Sequence, residues 1–257
     1  MRINLLVTLD SKYIRPLKVM LTSMFINNPE EDFHVYLVHS SIKDDETADI
    51  GQFVDSYGQK LSAIKIDNSY FQDAPVVFHY TKEMYYRLLA YKFLPGELDR
   101  ILYLDPDILV LNPVREFYET DLDGFLYAAA FHDVIAVKGL NQIRLYPYKI
   151  NAYINSGVLL MNLELQRKLI DEEAIYTFIE KNRAKLFMPD QDIINALYAD
   201  KIKCMDEKIY NYDTRFYNYY KVMTNNRCDM DFIIWNTVFL HFCGKKKPWR
   251  KGYSGKF

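Results

Sequence analysis

Apolar positions change their spacing several times along the first third of the chain. Continuous apolar runs at 3–8, 33–39 and 61–66 predict buried strands. Between them, apolar residues recur every three or four positions over 13–27, which predicts a helix, and a second helix is predicted over 41–57. The order strand, helix, strand, helix, strand favours a parallel sheet with right-handed crossovers. The fold class that we expect is therefore α/β.

The rest of the chain shows the same kinds of pattern with less regular spacing. Helices are predicted over 80–94, 170–183 and 190–197. The segment 210–220 is rich in Asn and Tyr but has no clean periodicity, so we expect it to be irregular. The remaining elements are strands at 101–104, 108–111, 125–131, 158–163 and 237–242, a helical turn at 114–118 and a loop around 146–148.

A pair of carboxylates lies between two of these apolar runs. Asp105 and Asp107 flank Pro106, and in an extended backbone their side chains point the same way, while the proline makes the sheet end or bend. The carboxyl end of a strand is where open α/β sheets bind ligands. Each carboxylate raises the pKa of the other unless a cation lies between them, and a hard divalent metal suits that position. A solvated turn is the alternative, and from this stretch alone both stay open.

Polar side chains near other element ends add candidates, each with a structural alternative. Asp10 follows the first strand, where an acid can accept from a base or a ribose and Tyr13 can stack, but a helix cap explains Asp10 equally well. Arg87 lies in a Tyr- and Leu-rich helix and needs an anion. That anion is either the carboxylate pair, a phosphate or a structural ion-pair partner.

The second half of the chain contains three further candidate segments. The sequence Asn-Ser-Gly at 155–157 allows a close backbone approach beside polar groups, or forms an ordinary turn. Asp190 stands at the start of a predicted helix and would be its cap. His241 ends the last strand, where a lone histidine is more often structural. The Gly-Lys run at 244–247 next to it offers backbone access and positive charge suited to a phosphate.

Composition narrows the class of protein. Half of the 257 residues are hydrophobic and 26% are charged, which is typical of a globular chain long enough for one large domain. The net charge of −2 gives no electrostatic case for binding nucleic acid. The three cysteines lack zinc-site spacing, and their odd number suits a reducing compartment. Because no signal peptide or membrane-length apolar run is visible, we expect a cytoplasmic protein.

Taken together, four segments resemble family 8 of the retaining glycosyltransferases, which includes bacterial lipopolysaccharide galactosyl- and glucosyltransferases and the glycogenins. The resemblance extends from Asp10 to Trp249, with the segments in the family's order. It implies a GT-A fold, a Rossmann-like single domain over 1–257 with a mixed, mostly parallel central sheet. The nucleotide-binding half would span about 1–111, and the donor-sugar and acceptor half about 112–257. The four segments are 102–110, 155–163, 190–195 and 241–249.

The resemblance also implies roles for individual residues. Asp105, Asp107 and His241 would ligate a divalent metal, and the histidine favours Mn²⁺, with Mg²⁺ as the alternative. Gln191 and Asp190 would act at the donor sugar and Lys247 at the departing diphosphate. The residues implied to contact the UDP-sugar are Thr8, Asp10, Tyr13, Arg87, Asp105, Asp133, Asn155, Ser156, Gly244 and Lys247.

The implied activity is transfer of a hexose from UDP-glucose or UDP-galactose to a glycan or glycolipid acceptor, as in lipopolysaccharide biosynthesis. Gln191 is a poor nucleophile, so the acceptor would attack on the face that UDP leaves. One alternative is a UDP-sugar-binding protein without turnover. Another is a phosphatase of the haloacid dehalogenase type, which the apolar residues after Asp107 and the mid-chain position of the carboxylate pair disfavour. A peripheral contact with the inner face of a membrane stays open, with Lys245, Lys246, Arg250 and Lys251 as its basis in the sequence.

Overall fold

The computed structural model of the chain describes residues 1–67, 69–76, 82–131, 135–150 and 152–257. Within these residues, no helix combines the length and the apolar character that crossing a membrane requires. The strands are β1 (Arg2–Thr8), β2 (Asp32–His39), β3 (Lys60–Lys65), β4 (Arg100–Leu104), β5 (Ile108–Val110), β6 (Tyr127–Phe131), β7 (Ile154–Asn162), β8 (Ile202–Asp206), β9 (Tyr212–Asp213) and β10 (Phe239–His241).

Helices connect most of the strands. They are α1 (Ile14–Asn27), α2 (Asp44–Asp55), α3 (Glu83–Tyr86), α4 (Ala90–Phe93), α5 (Arg115–Tyr118), α6 (Ile135–Arg144), α7 (Leu163–Leu169), α8 (Glu172–Asn182), α9 (Pro189–Leu197), α10 (Glu207–Tyr210), α11 (Tyr217–Met223) and α12 (Met230–Asn236). Short 3-10 turns occur at Ser11–Tyr13, Arg87–Leu89, Arg183–Lys185, Ala199–Lys201 and Thr214–Phe216.

The main sheet has the strand order β3-β2-β1-β4-β7-β6-β8 across the described part of the chain. Strands β3, β2, β1 and β4 are parallel to one another, as the β-α-β-α-β pattern predicted. Strand β7 runs antiparallel to both of its neighbours, and β8 is again parallel to β6. The predicted α/β class, with a mixed and mostly parallel central sheet, is therefore confirmed. The division into two functional halves near residue 111 stays a prediction.

Alternate residues of the central strands pack on opposite faces of this sheet. Leu5 and Leu102 join the core cluster that contains α1, whereas Leu6 and Tyr103 join the cluster that contains α3 and α9. Both faces are therefore covered, and all four side chains are fully buried. This explains why β1 and β4 read as continuous apolar runs in the sequence rather than as an alternating pattern.

The chain leaves the main sheet at the carboxylate pair. Strand β4 ends at Leu104, and after Asp105-Pro106-Asp107 the chain enters β5 of a second, smaller sheet with the order β5-β10-β9. The prediction that the sheet ends or bends at Pro106 is confirmed. Strand β10 runs antiparallel to β5, with His241 paired to Ile108, so the pairing brings the carboxyl end of the chain back to the carboxylates.

Several predicted elements were wrong or incomplete. The segment 210–220, expected to be irregular, contains the end of α10, strand β9, a 3-10 turn and the start of α11. Each piece is too short to show a period, and the rings of Tyr212 and Tyr220 are buried in a cluster with Leu240 and Phe242. The predicted helix 80–94 is broken into α3, a 3-10 turn and α4 over its described part, and α6, α7, β8 and α12 were not predicted.

Candidate active site

Asp105, Asp107 and His241 meet where the two sheets join. One ligand atom from each lies within 4.8 Å of the other two. The Nε2 atom of His241 is 3.2 Å from Oδ1 of Asp107 and 3.8 Å from Oδ2 of Asp105. Asp107 and His241 are buried, whereas Asp105 is half-buried. The structure thus brings together the three residues that were predicted to bind a metal, although His241 lies 134 positions after Asp107 in the sequence.

Backbone hydrogen bonds fix this meeting point. The amide of Asp105 donates to the carbonyl of Gly157 on β7 at 2.8 Å, which ends the main sheet beside the carboxylate. The amide of Phe242 donates to the carbonyl of Asp107 at 3.0 Å, which continues the β5–β10 ladder past His241. The main sheet therefore positions Asp105 and the smaller sheet positions Asp107. The positions of their ligand atoms follow from strand register.

A chain of amide hydrogen bonds fixes the tautomer of His241. The backbone amide of Gly157 donates to Oδ1 of Asn155 at 2.8 Å, and Nδ2 of Asn211 donates to the same oxygen at 3.0 Å. The Oδ1 atom of Asn211 therefore faces His241 and accepts from Nδ1 at 2.9 Å. With its proton on Nδ1, a neutral ring presents the Nε2 lone pair to the two carboxylates. This is the form of histidine that binds a metal.

Gly157 leaves room for the three ligands. A Cβ atom at this position would lie 2.3 Å from Cε1 of His241 and 2.8 Å from Oδ2 of Asp105. Real Cβ atoms do not approach other heavy atoms so closely, so any larger residue would displace one of the two ligands. The 155–157 segment is thus a close backbone approach rather than an ordinary turn, which decides between the two interpretations of its sequence.

Positive charge surrounds the buried carboxylate of Asp107. Burial by itself would raise the pKa of Asp107, but His241 and Lys247 hold that pKa well below its usual range. The Lys247 ammonium forms an ion pair with Asp107 and also donates to the carbonyl of Phe242 at 2.7 Å. Burial would lower the pKa of His241, yet the Cys243 thiol and the Asp107 carboxylate raise it well above its usual range. A metal that binds at this position must therefore displace a proton from His241.

Arg87 forms ion pairs with the carboxylates of Asp105 and Asp190. Its Nη2 atom is 2.9 Å from Oδ1 of Asp105, and its Nη1 atom is 3.3 Å from Oδ2 of Asp190. The guanidinium also lies over the ring of Tyr103, whose hydroxyl donates to Asp105 at 2.6 Å. Burial opposes the charge, but Asp105 and its neighbours raise the pKa of Arg87 further above its usual range. One oxygen of Asp105 is thus occupied by Arg87 and Tyr103, and the other faces His241.

The helix α9 presents Asp190 and Gln191 to the same site, but not as the sequence predicted. Asp190 was expected to cap the helix, yet α9 begins at Pro189 and its N-cap residue is Met188. The side chain of Asp190 instead accepts from the hydroxyl of Ser156 at 2.8 Å. The residue that bonds back to the start of the helix is Asp192, whose Oδ2 accepts from the amide of Met188 at 3.2 Å. The capping prediction for Asp190 was therefore wrong.

Asp190 and Gln191 lie in a part of the site that is shielded from solvent. Both residues are almost fully buried. Desolvation raises the pKa of Asp190, and the nearby Arg87 guanidinium partly offsets this effect. The Oε1 atom of Gln191 accepts a long hydrogen bond of 3.3 Å from the amide of Ser156. The amide side chain of Gln191 is thus tied to the same segment as Asp190, at the floor of the site.

At the other end of the site, Asp10 and Tyr13 follow β1. Oδ1 of Asp10 accepts from the amide of Lys12 at 3.0 Å, so Asp10 does cap a helical turn, while the residue also borders the cleft. The ring of Tyr13 meets Trp249 edge to face, with centroids 6.2 Å apart. Burial and the nearby Asp107 and Asp105 raise the pKa of Tyr13 to about 12. The phenol is therefore neutral at physiological pH.

These residues border one cleft of about 510 Å³. Asp133 lies outside the described residues. Nine further residues around the cleft were not predicted as site residues: Leu9, Glu83, Met84, Pro106, Phe187, Met188, Arg215, Cys243 and Lys245. Cys243 and Lys245 lie inside the 241–249 segment, which was a signal that could have identified them, whereas Arg215 lies in the 210–220 segment, which shows no motif. The predicted residues that line the cleft are Thr8, Asp10, Tyr13, Arg87, Asp105, Asp107, Asn155, Ser156, Asp190, Gln191, His241, Gly244 and Lys247.

Comparison with known protein families identifies the chain. The model of glycosyl transferase family 8 matches residues 4–252. The chain belongs to this family. The family predicted from the four sequence segments is therefore confirmed, and the cleft described above is the candidate active site of a family 8 glycosyltransferase.

Individual relatives of this family 8 glycosyltransferase cover nearly all of its length. Lipopolysaccharide 1,2-glucosyltransferase of Escherichia coli K12 is 26% identical over 259 residues, which cover 97% of this chain and 73% of the relative. General stress protein A of Bacillus subtilis 168 is 25% identical over 248 residues, covering 93% and 85%. The crystal structure of the galactosyltransferase LgtC with donor and acceptor sugar analogues has a TM-score of 0.85 at 20% identity, covering 99% of this chain and 92% of LgtC. This structural likeness confirms the predicted GT-A type fold.

Proposed function

We propose that this protein is a metal-dependent retaining glycosyltransferase that moves a hexose from UDP-glucose or UDP-galactose to a glycan or glycolipid acceptor. The observation that carries the proposal is the position of His241 beside Asp105 and Asp107. Lys247 forms an ion pair with Asp107 at the same place. Two carboxylates, an imidazole and an ammonium at the end of a Rossmann-like sheet form a site for a divalent cation and a diphosphate. The lipopolysaccharide glucosyltransferase among the relatives supports a glycolipid acceptor.

The residues present fit the proposed metal. Three ligand atoms converge, Asn211 orients the histidine, and Gly157 keeps the space between the ligands open. Asp105, Asp107 and His241 would hold Mn²⁺, with Mg²⁺ as the alternative, because imidazole together with carboxylates suits manganese better. A bound divalent metal would neutralise negative charge that develops on the departing UDP.

Other side chains of the protein would contact the uridine and the diphosphate of the donor. Asp10 and Tyr13 would hold the uridine, while Gly244 and Lys247 would contact the diphosphate. Gly244 has a φ of 83°, a conformation that turns the backbone sharply in front of the lysine. When the bond from the sugar to UDP breaks, the Lys247 ammonium would stabilise the negative charge on the leaving oxygen.

Around the sugar, Arg87, Asn155, Ser156, Asp190 and Gln191 would fix its orientation. We propose that the acceptor hydroxyl attacks the anomeric carbon on the face that UDP leaves, and that a UDP oxygen takes the hydroxyl proton. This route retains the configuration without a covalent intermediate. It agrees with the tight pairing of Asp190 to Ser156 and Arg87, since a carboxylate engaged in this way is a weak nucleophile.

A donor screen tests the proposal. Purified protein is incubated with UDP-glucose, UDP-galactose and other nucleotide sugars in the presence of Mn²⁺, and release of UDP is measured. We expect slow, metal-dependent UDP release without acceptor from one of the two hexose donors. UDP-sugar binding without turnover on any acceptor would instead support a binding protein, and phosphate release from a phosphomonoester would support the phosphatase alternative.

The variant Asp107→Ala separates metal-dependent binding from general affinity. We expect it to abolish the dependence of UDP affinity on Mn²⁺, because a buried ligand and the partner of Lys247 are both lost. Asp49→Asn is a matched control, since Asp49 is an exposed carboxylate paired only with Lys18 on the outer surface. Identical UDP affinities with and without Mn²⁺ in the wild-type protein would refute the metal assignment.

A further inference from the structure

The helix α6 has an inverted distribution of polar and apolar side chains. Asn141 is 8% exposed, and Arg144 turns inward, where its guanidinium contacts Asp192 of α9. On the opposite side, Leu140 is 70% exposed and Ile143 is 79% exposed. A surface helix of a globular protein normally buries its apolar stripe and exposes its polar one. Over 139–144, the outer side of α6 therefore carries two large apolar side chains, next to the exposed Gln142, that no described residue covers.

The same face continues into the turn after α6 and towards the cleft. Tyr146 is 74% exposed at the end of the helix, and its amide donates to the carbonyl of Ile143. Phe187, which lines the cleft and is half exposed, lies with its ring 4.9 Å from the guanidinium of Arg144. We call the exposed side chains of Leu140, Ile143 and Tyr146 the α6 surface. Because Phe187 borders the cleft and packs against Arg144 on the inward side of the helix, α6 lies beside the cleft.

The charges around the α6 surface are unbalanced. The segments 139–150 and 183–187 contain four cationic residues and no acidic one, although the chain as a whole has a net charge of −2. The two segments are in contact, because Arg144 donates to the carbonyl of Lys185 at 2.5 Å. Lys149 and Lys185 are exposed, and Arg183 is partly neutralised by Glu180 at 3.2 Å. Because Arg144 is paired with the buried Asp192, the exposed positive charge near the α6 surface comes chiefly from Lys149 and Lys185.

We propose that the α6 surface is a docking site for an anionic lipid bilayer. An amphipathic helix that carries apolar and aromatic side chains within a rim of lysines and arginines binds in the plane of such a membrane, with its apolar side chains among the lipid headgroups and upper acyl chains. The exposed Lys149 and Lys185 complement the negative headgroups of such a bilayer. Docking at α6 holds the mouth of the cleft at the membrane surface. The binding depends on neither the donor sugar nor the metal.

Vesicle flotation of the full-length protein tests this proposal. The probes are vesicles of phosphatidylcholine alone and of phosphatidylcholine mixed with phosphatidylglycerol. We expect binding to the mixed vesicles that weakens as salt is raised, and much weaker binding to phosphatidylcholine alone. Binding to neither kind of vesicle, or equal binding to both at all salt concentrations, would overturn the proposal.

Two variants assign the contact to α6. Leu140→Ser combined with Ile143→Ser is expected to lower the affinity for mixed vesicles at least about tenfold, because two inserted side chains are lost. Lys149→Glu combined with Lys185→Glu is expected to remove the salt dependence. Since all four side chains are exposed, folding should be unaffected, and circular dichroism together with unchanged UDP affinity checks this.

A matched control separates α6 from other exposed apolar positions. Val222 and Met223 on α11 are 72% and 61% exposed, so Val222→Ser combined with Met223→Ser removes similar surface elsewhere. We expect this control to bind vesicles like the wild type. Equal losses in both double variants, or a loss only in the α11 variant, would contradict docking through α6. If Leu140→Ser with Ile143→Ser instead turns a dimer into a monomer in light scattering, the surface is an interface between two copies, and the proposal fails.

Discussion

Nδ1 of His241 donates a hydrogen bond of 2.9 Å to Oδ1 of Asn211, and this contact decides which nitrogen of the ring faces the carboxylates. Asn211 is itself oriented by Asn155, which accepts from the backbone of Gly157. A metal-binding histidine commonly donates its other nitrogen to such a partner, and losing the partner weakens metal affinity. The partner in this protein lies in a segment whose sequence shows no motif.

The first prediction concerns this contact. Asn211→Ala is expected to weaken Mn²⁺ binding by about tenfold to a hundredfold, because the ring loses the acceptor that keeps its proton on Nδ1. Isothermal titration calorimetry of the UDP-bound protein with Mn²⁺ measures the effect. Asn236→Ala is the control, since Asn236 is an exposed residue near the end of α12 that bonds only to the helix backbone. Equal Mn²⁺ affinity in both variants would show that Asn211 does not orient the ligand.

Gly157→Ala is expected to lower Mn²⁺ affinity at least about tenfold while the protein still folds. The added methyl group would lie 2.3 Å from His241 and 2.8 Å from Asp105, so one of the ligands must move. Gly96→Ala is the matched control, because a Cβ atom at Gly96 meets nothing within 4 Å. Titration of both variants with Mn²⁺ measures their metal affinities. Equal affinities of Gly157→Ala and Gly96→Ala would contradict a metal site between these ligands.

Gln191→Ala is expected to lower turnover by about a hundredfold with little change in UDP affinity. The residue lies at the floor of the cleft, beside Ser156 and away from the Tyr13 end. Steady-state kinetics of UDP release and a separate UDP binding titration measure the two effects. Gln52→Ala on the exposed side of α2 is the control. Losses of equal size in turnover and in UDP affinity would place Gln191 in ground-state binding instead.

The ion pair between Arg144 and Asp192 is expected to contribute to the free energy of unfolding. Asp192 is fully buried, and both of its oxygens accept hydrogen bonds from the Arg144 guanidinium, at 2.5 and 2.7 Å. Removing only the cation in Arg144→Met leaves a buried carboxylate without its charged partner, which costs about 3 kcal/mol of unfolding free energy. Urea denaturation measures this. Lys168→Ala breaks a fully exposed ion pair with Glu164 and should leave the unfolding free energy unchanged.

The sequence predicted the first half of the fold well because its signals are local. Strands β1, β2 and β3 stand out as continuous apolar runs, helices α1 and α2 are long enough to show a period, and strand β4 ends just before the predicted break at Pro106. Apart from the ten-residue α6, the failures concern elements of two to seven residues, as in the stretch from α10 to α12. There, burial comes from rings such as Tyr212 and Tyr220 that pack against a distant strand, and no local period records such packing.

The sequence alone also determined the chemistry of the site, since residue types at motif spacing show what can bind a metal or a phosphate. It identified Asp105, Asp107, His241 and Lys247 individually, but left a solvated turn and a structural histidine as alternatives. Only the tertiary structure decided that His241 lies beside the carboxylates, through the antiparallel pairing of β10 with β5. It alone also showed Asn211 as the partner of His241, the misassigned cap at Asp190 and the outward apolar face of α6. Each depends on contacts between distant segments, which strand register and packing set and which the local sequence does not contain.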